Sequence, residues 1–326
     1  MIQRKTAAYA AASSIASWNL TSVRRETCQA MVPKRLQRKD TTVLDYNNMI
    51  PQDVQAVAQA ISHARLGSYK RYFQAITDPE ALGLYQWNED LREAFARTTD
   101  LIEVVLRNQF HAALSQRYGQ QGGAGSRDWY SYLNLPQKSS DKVLEITHVY
   151  RGGTWRPRHP ARTPDDVVSN LTFGFWPRLL DVSCDTNQVA VPWDHIIPDI
   201  LPGHRQRAAT YWSPQARQDA FFARMDLCND LRNRIAHLEP IWKLGPLKAE
   251  ARNRPGRAIQ TVGGPTRNPQ ESLDRLRLID DRLIELLHWL SPTVSRLYRQ
   301  CPIHTRCVAL LTPAALDAYR QNRPFP

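Results

Sequence analysis

Three things are missing from this 326-residue chain: a disulfide framework, a membrane span and a phosphate-binding glycine loop. Its five cysteines (Cys28, Cys184, Cys228, Cys301, Cys307) are scattered and odd in number. That pattern suits a reducing cytoplasm rather than a stapled secreted fold. No run approaches the roughly 18 apolar residues of a membrane helix, so no membrane partner is expected. Cys301 and Cys307 flank His304, but C-x5-C with one histidine lacks zinc spacing and a fourth ligand. Gly119 to Gly125 has neither a Walker lysine–serine ending nor G-x-G-x-x-G. No clustered carboxylate or Cys/His set stands elsewhere, so neither metal nor cofactor is expected. Acid is in short supply too: 31 Asp and Glu face 43 Lys and Arg, a net charge of +12 that favours an anionic partner.

That excess is uneven. Residues 1–40 hold eight basic side chains against Glu26 and Asp40, a net +6. Residues 1–45 show no sustained helical period. Arg4-Lys5 and the Ala/Ser-rich stretch 7–17 imitate a signal peptide, yet almost no Leu, Val or Phe follows. The expectation is a disordered basic extension, or an over-long gene start with the true one at Met31 or Met49.

From Pro51 the pattern turns helical, with Val54, Val57, Ala58 and Ile61 at three- and four-residue steps. Asp78-Pro79-Glu80 has the form of an N-cap with proline in the first turn. Leu82, Tyr85, Leu91, Phe95, Leu101, Ile102, Val105, Leu106 and Phe110 carry the period to about residue 118. A basic, proline-rich loop (Arg151, Arg156, Arg158, His159, Arg162) follows. Asp165 or Asp166 then opens an apolar segment with Val168, Leu171, Phe175 and Leu179. The stretch 184–211 is rich in proline and aromatic residues, and Ser213-Pro214 caps a helix beyond it. An irregular basic stretch spans 242–270 (Lys243, Lys248, Arg252, Arg254, Arg257, Arg267). Asn268-Pro269-Gln270-Glu271 then forms a capping box ahead of a Leu273, Leu276, Ile279, Leu283, Leu286, Leu290 stripe that ends at Ser291-Pro292. No strand-like alternation persists. The fold class is all-α, with residues 46–326 as one helical domain, divisible into subdomains 46–180 and 181–326.

The helix from 214 buries Phe221, Met225, Cys228, Leu231 and Ile235 and carries Arg232-Asn233-Arg234-Ile235-Ala236-His237 at its end. Pro240 disfavours helix at Glu239, so the helix stops near His237. Five residues amount to about 140° on a straight helix, so Arg232 and His237 do not stack. By spacing alone the pair reads as a helix cap, basic groups meeting the last carbonyls. The chemical reading makes His237 a general base and acid for attack by a ribose 2′-hydroxyl. Arg232 would then stabilise the phosphoryl charge, Asn233 would orient the imidazole or phosphate, and Arg234 would add a second positive contact.

A related phrase stands upstream. Glu103, Arg107 and His111 are four apart on one helical face, beside Val105, Leu106 and Phe110. Its plain reading is a Glu103–Arg107 ion pair. Polar groups half-buried there should be paired, so Glu103, Arg107 and Asn108, with His111, are expected to form a support network behind Arg232 and His237. Tyr85-Gln86-Trp87-Asn88 reads as core with an aromatic anchor.

Leu84–Asn88, Ile102–Asn108, Asp128–Tyr130, Leu171–Trp176 and Leu231–His237 together resemble the Abi-like (abortive infection) family, a bacterial branch of the HEPN superfamily. The resemblance runs from about residue 50 to 310. It implies a HEPN-like helical bundle, here with extra helices and irregular basic loops, that cleaves RNA without metal through R-x4-H. In a homodimer the two motifs would form one composite groove. Arg232 and His237 become the catalytic pair and Asn233 the polar residue after the arginine. The ends left would be a 2′,3′-cyclic phosphate and a 5′-hydroxyl. The implied setting is phage defence or toxin–antitoxin growth arrest, with RNA as substrate and a protein or small-RNA antitoxin as partner. The chain departs from the family at Leu238, where a histidine often stands, in the longer stretch 242–270, and at Glu239, where some members carry a modifiable tyrosine. Two other classes stay open: a non-catalytic RNA-binding or sensor module of HEPN fold, and a helical interaction scaffold.

Overall fold

A computed structural model describes residues 51–118, 127–323 and 325. The basic extension 1–45 and the glycine-rich loop 119–125 lie outside the described residues. What is described is helical, as the apolar periods imply. α1 (Pro51–Ile61) and α2 (His63–Phe73) lead into α3 (Asp78–Tyr118), 41 residues long. Along α3 the side chains of Leu84, Trp87, Leu91, Phe95, Thr98, Ile102, Leu106, Phe110 and Leu114 form one buried stripe. Thr98 keeps its place in that stripe by hydrogen-bonding Tyr298 at 2.8 Å.

α3 begins differently from the expectation. The hydroxyl of Thr77, not the carboxylate of Asp78, accepts the Glu80 amide, and Glu80 reaches back to the Ile76 amide. Asp78 lies inside the first turn and pairs with Lys70 at 2.7 Å.

After a 3-10 turn at Trp129–Ser131 come α4 (Gln137–Thr147) and an antiparallel ribbon, β1 (His148–Arg151) with β2 (Thr154–Pro157). The ribbon corrects the reading of 151–166 as plain loop. Gly152 and Gly153 both have positive φ, the conformation that a two-residue hairpin turn demands. α5 (Pro164–Ser169) and α6 (Phe175–Leu179) divide what had looked like one apolar helix. The cap of α5 is Thr163 in a capping box with Asp166, one turn earlier than expected.

The proline- and aromatic-rich stretch holds α7 (Trp193–Ile200) and α8 (Ala209–Trp212), neither foreseen. α9 (Gln215–Ala236) follows. Ser213 does not cap it: its hydroxyl turns away to Asp194 and Ala209. A second small ribbon, β3 (Leu247–Lys248) with β4 (Thr261–Gly263), interrupts the basic stretch. The chain closes with α10 (Pro269–Leu290), α11 (Pro292–Arg299), α12 (Pro302–Leu310) and α13 (Pro313–Arg320). Proline opens each of these four helices, where its missing N–H costs nothing. Asn268 caps α10 as expected, but the reciprocal half of the expected capping box is displaced, since Glu271 takes the Arg267 amide instead of that of Asn268; all six residues of the predicted stripe are buried.

α3 packs against α2, α7, α9, α10, α12 and α13. One apolar cluster therefore runs from Tyr69 to Tyr319 and takes in Trp87, Trp129, Trp176, Trp193, Trp212 and Trp242. It leaves no seam between residues 46–180 and 181–326.

Candidate active site

α9 lies antiparallel to α3, and four contacts fix the register. Phe110 stacks on Phe221, Glu103 meets Arg232, Arg92 donates to the Ile235 carbonyl, and Asn88 accepts from the Ile241 amide. Phe221, Met225, Cys228 and Leu231 are buried as the stripe implied, with Ile235 partly so.

α9 ends at Ala236, with His237 as its cap residue. The Leu238 amide bonds the Ile235 carbonyl and the Glu239 amide bonds the Arg234 carbonyl, the paired closure of a Schellman turn. That turn puts its second-to-last residue in the left-handed region, where glycine is usual. Here Leu238 occupies it at φ 56°, a strain of about 1–2 kcal/mol. The chain then returns to the core at once, with Ile241 and Trp242 fully buried. His237, Leu238 and Glu239 are thus an exposed tip between two buried anchors.

Arg234 locks the tip. Its guanidinium donates to the carbonyls of Pro240 and Lys243 and lies 3.5 Å from Glu239. A group so engaged serves the turn, not a phosphate, which corrects the expected second contact.

Arg232 keeps 39% of its side chain exposed and meets Glu103, 17% exposed, through Nε at 3.4 Å. Its two Nη groups have no partner among the described residues. Nor has the exposed imidazole of His237. No hydrogen bond joins His237 to Arg232. The half-buried side chain of Asn233 makes none either, although its carbonyl accepts the His237 amide at 2.9 Å.

The upstream phrase divides. Glu103 alone reaches the end of α9. Arg107 donates to the Ser169 carbonyl at the end of α5, and Asn108 is exposed. His111 is buried, 4% exposed, in a separate cluster. Its Nδ1 accepts the indole N–H of Trp129 at 2.9 Å. Indole nitrogen only donates, so the proton sits on Nε2, which donates to Asp165 at 3.0 Å. Burial, aided by Arg127, holds this imidazole below its ordinary pKa, and Asp165 offsets only part of the effect. The four-residue support network is therefore one supporting carboxylate and a structural histidine elsewhere.

Sequence reasoning missed Asn88 and Arg92. The phrase Tyr85–Asn88 is core-facing as expected, with Trp87 and Asn88 buried. Its polar member also pins the chain beyond α9. The signal was present: Asn88 and Arg92 are one turn apart on a buried stripe, where a polar side chain needs a partner. Cys228 behind Arg232 is fully buried, and burial together with Glu103 pushes its thiol far up. It is no nucleophile. His304 is held against Asp280 at 3.2 Å. Among the described residues no cluster of His, Cys, Asp or Glu is placed to hold a metal.

No family model, curated protein or solved structure matches the chain. The case for chemistry at this site rests on its own geometry. It offers a guanidinium paired with a carboxylate and, five residues on, an exposed imidazole on the hydrogen-bonded turn that ends α9.

Proposed function

We propose that the chain is a metal-independent endoribonuclease of the Abi-like HEPN type. The observation that carries this is His237: an exposed imidazole with no partner among the described residues, held on a strained helix-end turn five residues after a half-exposed Arg232 that Glu103 braces. A histidine meant only to cap α9 would spend a ring nitrogen on one of the helix's last carbonyls. This one does not.

His237 takes the proton of the ribose 2′-hydroxyl as that oxygen attacks the adjacent phosphorus. Arg232 holds the phosphoryl oxygens and offsets the charge that builds on them. The P–O5′ bond breaks and the 5′ oxygen takes up a proton, leaving a 2′,3′-cyclic phosphate and a 5′-hydroxyl. With Leu238 where a second imidazole might stand, the protonating group is His237 of a second protomer across a composite groove. The biological reading is growth arrest in the cytoplasm during phage defence or under control of an antitoxin, whether protein or small RNA.

Total RNA incubated with the protein in EDTA, beside a His237→Ala variant, tests this. Cleavage by the parent chain that leaves 5′-hydroxyl and cyclic phosphate ends, absent from the variant, is expected. Equal cleavage by both sinks the assignment. Salt-sensitive RNA binding with no new ends would favour the non-catalytic RNA-binding module, which Arg151 and Arg156, exposed and without side-chain partners among the described residues, also suit.

A further inference from the structure

The two basic stretches of the sequence differ in how their charge is used. In the 242–270 stretch, Arg252 is bound to Asp181 and lies 3.9 Å from the centre of the Phe222 ring. Arg254 grips Asp219, and Glu250 answers Arg224 and Arg282. That stretch is stapled down at Glu250, Arg252 and Arg254, although its Lys243, Lys248, Arg257 and Arg267 are exposed. The β1–β2 ribbon is not stapled in this way. From residue 148 to 164 there are four arginines and no Asp or Glu. Arg158 anchors the ribbon's base, its amide on Thr147 and its guanidinium on the Glu145 carbonyl, and Arg162 lies near Asp166. Arg151 and Arg156 are exposed and have no side-chain partner among the described residues.

Strand register assigns the faces. Tyr150 pairs with Trp155, so both lie on one face, while Arg151 and Arg156 alternate onto the other. The two rings meet edge-on at 5.3 Å, yet Tyr150 remains 60% and Trp155 43% exposed. A cross-strand aromatic pair helps to hold a short hairpin together. That role does not require the unopposed guanidinium pair behind it.

We propose that this ribbon binds single-stranded RNA, with bases stacked on Trp155 and Tyr150 and the strand passing over the ribbon's edge so that flanking phosphates meet Arg151 and Arg156 on the other face. Flat exposed rings suit unpaired bases, which present their faces, and do not suit a stacked duplex. The charge fits a polyanion. The inference rests on RNA being the substrate class of the proposed nuclease, and it makes the ribbon the element that holds the strand.

Binding is read by fluorescence anisotropy of a labelled oligouridylate on the full chain carrying His237→Ala, so that the probe stays intact. Trp155→Val keeps a residue suited to a strand but removes the flat ring; Trp155→Phe keeps a ring. The Val variant should bind about tenfold more weakly, and the Phe variant should stay near the parent. Arg151→Ala with Arg156→Ala should lower the slope of log affinity against log salt by about 1.4. Heparin, a polyanion without bases, should lose affinity in the arginine variant and not in Trp155→Val. Oligouridylate affinity within twofold of the parent in Trp155→Val would overturn the proposal and leave the aromatic face to a protein partner. Equal losses for heparin and oligouridylate in Trp155→Val would also overturn it, since the effect would then be collapse of the ribbon. The two readings fail separately. Ribbon-dependent binding with no cleavage by the parent chain removes the nuclease and keeps the ribbon, whereas His237-dependent cleavage with ribbon-independent binding does the reverse.

Discussion

His111 and His237 each follow an Arg-Asn pair on a long helix, and the fold gives them opposite environments. His111, four residues after Arg107 in mid-helix, is buried, and both its nitrogens are committed to Trp129 and Asp165. His237, five residues after Arg232, falls just past the last helical residue and is exposed, with no partner among the described residues. One added residue and a following proline move the second imidazole off the packed face and onto a turn. A buried histidine with a fixed tautomer is a packing element. An exposed one on a helix-end turn is left facing solvent.

The largest effect that would break this contrast is on rate. His237→Ala should lower RNA cleavage by roughly 10²–10⁴-fold and leave the unfolding midpoint nearly unchanged. His111→Ala should do the opposite. It strands the fully buried Trp129 indole N–H and leaves a cavity, a cost of about 2–4 kcal/mol by chemical denaturation. Cleavage per folded molecule should hold. A His111 variant that is stable but inactive would end the comparison.

pH sharpens the same point. Burial keeps His111, and also His204, which lies buried after α7 against Trp212 and Trp289, less basic when folded than when unfolded. Below the ordinary imidazole pKa of about 6.5 the unfolded chain therefore binds more protons than the folded one. Their stabilisation is fully present above that pH and is lost as the pH falls. Urea midpoints should decline from about pH 7.5 to 6, before carboxylates titrate, and the decline should shrink in a His111→Asn variant.

Smaller effects come from the tip. Leu238→Gly relieves the left-handed strain and should raise stability by about 1 kcal/mol, measured by the same denaturation; a loss would mean that the Leu238 side chain packs. Glu103→Gln should change stability by less than ~0.5 kcal/mol, because Arg232 is more than a third exposed. Cleavage should nonetheless fall severalfold as the guanidinium loses its brace. A silent Glu103 variant would reduce that contact to an incidental surface pair.

The stripes of α9 and α10 were legible from their apolar period, and the end of α9 from Pro240. Caps were legible only to within a turn. Thr77 and Thr163 cap where Asp78 and Asp165 had looked suitable, because the cap is whichever oxygen reaches the amide three residues on. The β1–β2 ribbon left no alternation to read, since β2 is exposed throughout and β1 is half-buried at two consecutive residues, His148 and Val149, so neither strand has one buried face to record. Its one mark was Gly152-Gly153. Within the site, the positions of Arg232 and His237 were legible and the use of Glu103 was half so: a supporting carboxylate was foreseen, its separation from Arg107 and His111 was not.

Periodicity and proline placement are local, so residue order was enough to define the helices, their inward faces and the place where α9 stops. Which polar groups meet is not local. Arg92 on Ile235, Asn88 on Ile241, Glu103 on Arg232 and Trp129 on His111 join segments brought together only when α3 is packed. A buried polar group takes whatever partner the packing delivers, whereas exposed His237 has none among the described residues.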